Sequence, residues 1–156
     1  MIKLLGKIPK EVGLAVSGGI DSMFALHFLL NGHRDVTVVH VNHQTEYGHE
    51  AANFVKEQCN ALGLELFMHN VEGNEVTSNR EEHWRNMRYE AFNDFINQCN
   101  KKLITVHHLD DCLETWLFSM LNGKPKTIPY KREEIIRPFL LTPREKIEQY
   151  VEYHDI

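Results

Sequence analysis

Short apolar runs rich in β-branched residues alternate along the chain with longer stretches whose apolar positions recur every three to four residues. The runs at 12–16, 36–41, 64–69, 103–107 and, more weakly, 135–137 are expected to be strands. The stretches at 21–31, 49–62, 79–97, 111–121 and 143–154 are expected to be helices. Ser78-Asn-Arg-Glu81 and Thr142-Pro-Arg-Glu145 both have the form of a capping box, the second with proline at the first helical position. This alternation predicts an α/β fold: a single doubly wound parallel sheet of about five strands with helices on both faces. The continuous Val/Ile/Leu runs suit strands buried on both sides. One domain over residues 1–156 is expected, with residues 123–131 the least structured stretch.

Composition narrows the setting. A hydrophobic content of 42% and a charged content of 25% are those of an ordinary soluble domain. No apolar run reaches the ~20 residues of a membrane span, and the polar N-terminus does not read as a signal peptide. Cys59, Cys99 and Cys112 form no C-x-x-C pair, which fits free thiols in a cytoplasmic protein. The net charge of −5 argues against a broad nucleic-acid surface, so any such contact must be local or lent by a partner. Lys124, Lys126, Lys131, Arg132 and Arg137 are the local candidate; as a charge run they read first as a solvated loop.

In doubly wound sheets ligands bind beyond the carboxyl ends of the strands. Three polar clusters stand there. Ser17-Gly-Gly-Ile-Asp-Ser22 follows the first strand and opens a helix, the layout that aims backbone N–H groups at an anion. It has no G-x-x-x-x-G-K-[ST] and no G-x-G-x-x-G. Asp21 would repel a bare phosphate, so it suits a cation that phosphates share. His40-Val-Asn-His43 ends the second strand, and His40 is either a core histidine or a neighbour of a bound nucleotide. His107-His-Leu-Asp-Asp-Cys-Leu-Glu114 follows the fourth, with Asp111 and Glu114 on one helix face. Those carboxylates could be first-turn acids favoured by the dipole, could hold Mg²⁺ between phosphates, or could orient an amine and take its proton. A transition-metal site from His107, His108 and Asp111 lacks the usual ligand spacing. On the third helix Arg85 and Arg88 either join Glu81 in surface pairs or bind a phosphate or carboxylate.

Ser17-Gly-Gly-Ile-Asp-Ser, His40-Val-Asn-His, Glu81-x-x-x-Arg85-x-x-Arg88-Tyr89, His107-His-x-Asp-Asp-x-x-Glu114-Thr and Ile136-Arg-Pro-Phe-Leu-Leu-x-Pro-Arg144 occur in this order. Together they resemble the PP-loop N-type ATP pyrophosphatases, most closely the N-terminal domain of the tRNA(Ile)-lysidine synthetases. The resemblance implies ATP and Mg²⁺ as cofactors and tRNA and L-lysine as substrates. ATP is cleaved between its α and β phosphates, a tRNA cytidine is adenylated, and lysine displaces AMP. By the same resemblance Ser17, Gly18, Gly19, Ile20, Asp21 and Ser22 would cradle pyrophosphate. Ala15, Val16, His40 and Val41 would face the adenosine, and Asp21 and Asp111 would hold the metal. Asp111 and Glu114 would handle the base and the amine, with Arg85, Arg88 and His107 beside them. The family's C-terminal tRNA-binding parts have no counterpart in these residues, so a protein partner could supply an RNA grip. Other PP-loop activations, such as tRNA thiolation or amide formation, and a non-catalytic ATP-binding module are the alternatives. Cys112 is the thiol to test for thiolation.

Overall fold

A computed structural model of the chain describes residues 1–71 and 80–156, and of Arg80 and Glu81 the backbone only. The element order is β1 (Glu11–Ala15), α1 (Ile20–Asn31), β2 (Asp35–Asn42), α2 (Glu46–Leu62), β3 (Leu66–Asn70), α3 (Arg80–Cys99), β4 (Leu103–Ile104), α4 (Leu109–Leu121), β5 (Lys131–Arg132), β6 (Ile135–Ile136) and α5 (Arg144–His154). One sheet holds all the strands in the order β3-β2-β1-β4-β6-β5. β1, β2, β3, β4 and β6 run parallel, as the alternation predicts. A sixth strand, β5, was not expected; it pairs antiparallel with β6, Lys131 opposite Ile136. It is two charged residues long, so no hydrophobic period announces it.

The winding reverses between β1 and β4, because β2 leaves β1 toward one edge and β4 toward the other. Val12, Leu14, Val36 and Val38 pack with Phe24, Leu26 and Leu29 of α1, Val55 of α2 and Ile147 and Val151 of α5. On the other face Val39, Leu103 and Ile135 meet Phe92 and Phe95 of α3. Gly13 is required here: a Cβ on β1 would run into the Phe95 ring. The helices therefore cover both faces. No described helix is long and apolar enough to cross a membrane.

Two local expectations change. Thr142 does not cap α5. It is fully buried, and its Oγ1 donates to the Lys3 carbonyl at 2.7 Å and accepts from the Lys3 N–H at 3.2 Å. The α5 N-terminus is served from α4 instead, Asp110 Oδ2 accepting from the Arg144 N–H at 2.7 Å. The basic run is not uniformly solvated either, because Arg137 is 3% exposed. The Ser78-Asn-Arg-Glu81 box and the Glu81–Arg85 pair lie outside the described residues.

Candidate active site

The glycine turn joins β1 to α1 at the switch point. Gly18 takes φ +88°, a conformation that side chains rarely adopt. Gly19 is the N-cap of α1, and no side chain caps this helix. Its leading N–H groups and the positive end of its dipole are thus offered to an outside anion. The two serines brace the turn from inside. Ser22 Oγ donates to the Gly19 carbonyl at 2.8 Å and accepts from the Ser17 N–H at 3.3 Å, while Ser17 Oγ accepts from the Gly19 N–H at 3.3 Å. The 3.3 Å bonds are long, so an arriving anion can compete for those donors. Ile20 is exposed and Ser22 buried at the start of the helix.

On the β2 side His40 is 3% exposed and donates Nδ1–H to the Val16 carbonyl at 2.7 Å. That bond fixes the tautomer and leaves Nε2 a buried acceptor without a partner among the described residues. Burial holds the ring's pKa down, against the backbone bond, so it is neutral. The core-histidine reading is met at one nitrogen, which the backbone satisfies; the other nitrogen is open. Ala15 and Val41 are half-buried on the adjoining strands and Val16 is buried. His43 stacks on Trp84 with centroids 5.2 Å apart. Its pKa is lowered by burial first, then by Arg88, His40 and His83.

On the β4 side the sequence singles out His107, but His108 proves the better-connected ring. It is 5% exposed and caps α4: its Nδ1 accepts from the Asp111 N–H at 3.3 Å, and Asp111 Oδ2 accepts from the His108 N–H at 2.8 Å. With Nδ1 accepting, the proton sits on Nε2, 4.0 Å from Asp21 Oδ2. His108 thereby links the glycine turn to the acidic start of α4. A histidine is the N-cap of α4, with Asp111 as its reciprocal partner. Asp21 Oδ1 is buried and has no partner among the described residues. Among those residues no group of three or more His, Cys, Asp or Glu is arranged to hold a metal. The buried, unpartnered Asp21 Oδ1 is a hard oxygen donor of the kind Mg²⁺ takes, alongside phosphate and water ligands.

Glu114 is exposed one turn beyond Asp111. His107 is half-buried, its Nδ1 3.4 Å from Thr105 Oγ1. Its pKa is pushed down by burial, then by Arg137, and further by Arg85 and Arg88, against Asp111. Arg85 and Arg88 of α3 thus add positive charge that opposes protonation of His107. Burial and Asp111 push the Cys112 thiol up, with Arg137 opposing. Arg137 and Tyr89 escaped the sequence reading of the site. Arg137 was hidden in a charge run, and Tyr89 entered only as the motif position beside Arg88.

The model of the PP-loop domain matches residues 3–156. A tRNA(Ile)-lysidine synthase of Staphylococcus aureus is 33% identical over 94% of this chain and 38% of its own length. One of Staphylococcus epidermidis is 35% identical over 73% of this chain and 28% of its own. The chain thus spans well under half the length of these curated relatives. Among solved structures, an NH3-dependent NAD synthetase of Campylobacter jejuni superposes with TM-score 0.62 at 16% identity, covering 94% of this chain and 64% of that one. A predicted subunit of a tRNA methyltransferase of Methanocaldococcus jannaschii gives 0.54 at 12% identity, over 92% and 75%. At such identities the likeness is one of fold.

Proposed function

The chain belongs to the PP-loop domain family, and from that premise we propose that it cleaves ATP between the α and β phosphates to adenylate a tRNA cytidine that L-lysine then captures. The observation that carries the reading is the uncapped start of α1 beside the buried, unpartnered Asp21 Oδ1. Pyrophosphate leaving the α-phosphorus carries charge, and preorganised N–H donors stabilise it where it forms. A bound Mg²⁺ would neutralise phosphate charge and polarise the P–O bonds. Asp21 would hold it, with Asp111 the second carboxylate of the set.

The C2 oxygen of the cytidine attacks the α-phosphorus as the bond to pyrophosphate breaks. The lysine amine then bonds to C2 while the C2–O bond to AMP breaks. The ammonium must first lose a proton, and Asp111 or Glu114 would accept it. The lysidine synthases among the relatives support tRNA and lysine as the substrates. Mass spectrometry of tRNA after incubation with ATP, Mg²⁺ and lysine tests this. A lysine adduct on one cytidine, lost in Asp21→Ala, is expected; unmodified tRNA with ATP consumed would refute it.

Thiolation through Cys112 is the weaker reading. A thiol pushed up by burial and by Asp111 holds less thiolate at neutral pH than an exposed cysteine. Cys112→Ser is expected to keep turnover.

A further inference from the structure

Tyr89 on α3 gathers guanidinium groups from three elements. The Cζ of Arg85 lies 5.5 Å and that of Arg132 4.6 Å from its ring centroid. Its hydroxyl accepts from Arg137 Nη2 at 3.2 Å. Arg137 also donates Nη1 to the Pro129 carbonyl at 2.9 Å, and its Nε is buried without a partner among the described residues. The Lys and Arg ion pairs among the described residues are Lys131–Glu134, Arg144–Glu148 and Lys146–Glu145. No described carboxylate therefore neutralises Arg85, Arg132 or Arg137.

Three guanidinium groups on one ring, one of them 3% exposed and none paired with a carboxylate among the described residues, make a local positive cluster in a chain of net charge −5. Such a set is compensated when an anion arrives. Its place separates that anion from the nucleotide phosphates. Arg137 directly follows β6, two strands from β1 and its glycine turn, which is roughly 10 Å at the usual strand spacing. His40, on the adenosine side, lies on β2 in the opposite direction.

We propose that Arg85, Arg132 and Arg137, gathered on Tyr89, form a clamp for a backbone phosphodiester of the RNA substrate. This rests on the reading of the acceptor as tRNA. Guanidinium forks match phosphate oxygens bidentately and stack on aromatic rings and bases, which suits a looped RNA strand. Lys124 and Lys126, in the segment between α4 and β5, are exposed and add positive charge to the chain stretch that leads to Arg132 and Arg137. A lone carboxylate would not use that extension, whereas a polyanion does.

Fluorescence anisotropy with a fluorescein-labelled RNA stem-loop bearing a loop cytidine, over a salt series, tests the clamp. Arg132→Ala and Arg85→Ala are each expected to weaken RNA binding about tenfold and to lower the salt slope by about one contact. Arg137→Lys keeps the charge but loses the fork, and is expected to weaken RNA binding while retaining the thermal melting point. Wild-type affinity and salt slope in all three variants would overturn the clamp. So would loss of ATP affinity with RNA affinity intact, or failure of the wild type to bind the stem-loop. Tight, arginine-dependent RNA binding without adenylation would leave the clamp standing and refute the proposed reaction. Equal adenylation by the wild type and by Arg132→Ala and Arg85→Ala would do the reverse.

Discussion

α1 and α4 are of nearly equal length, both are rich in large apolar residues, and both start with residues of the candidate site. Their fates differ. α1 buries Ser22, Phe24, Ala25, Leu26 and Leu29, while α4 has no buried residue. Leu113, Leu117, Phe118 and Leu121 of α4 are 57%, 51%, 73% and 77% exposed. The termini invert the pattern: α1 has no side-chain cap, whereas His108 and Asp111 cap α4 reciprocally. The glycine turn is thus anchored by packing and left open at its N–H groups. The carboxylates of Asp111 and Glu114 stand on a helix located chiefly by polar bonds. These are the His108 cap, the Leu109 N–H to the Thr142 carbonyl at 2.9 Å, and the Asp110–Arg144 bond. Apolar content alone does not decide burial; the partner that the topology supplies does.

The sharpest way to break this comparison is to truncate both helices. Leu26→Ala is expected to cost about 2–5 kcal/mol in urea unfolding. Leu117→Ala is expected to stay within about 0.5 kcal/mol. Similar losses at the two sites would mean that α4 is packed after all. A smaller effect is expected at the cap, where His108→Ala should remove about 1 kcal/mol in the same urea unfolding; no change would make the cap ornamental. Acid bears on both halves at once. His40, His43 and His107 all have pKa values held below the ordinary 6.5, burial being the first cause in each. The unfolded chain binds those protons more readily, so their contribution is complete above about pH 6.5 and is lost as pH falls below it. Unfolding at pH 8 and pH 5.5 should differ accordingly, and His40→Gln should narrow the gap. The smallest effect is at the α5 surface, where Glu148→Ala should cost about 0.3–0.5 kcal/mol through Arg144.

The parallel strands and the helices were legible because each carries its own period and its own start or stop signals. β5 was not, since Lys131-Arg132 is too short and too charged to have a period. Burial that depends on distant chain was equally hidden. Thr142 looks like a cap until Lys3 takes its hydroxyl, and Arg137 looks solvated until Tyr89 and Pro129 enclose it. At the site the glycine turn was plain from local order. The role of His108 needed the fold, because Asp21 reaches it from another helix.

The central claim is that the open start of α1 marks cleavage at the α–β bond of ATP. Phosphorus NMR of ATP turned over with Mg²⁺, tRNA and lysine tests it most directly. AMP and pyrophosphate, in equal amounts and absent in Asp21→Ala, are the predicted products; ADP and orthophosphate would contradict the account.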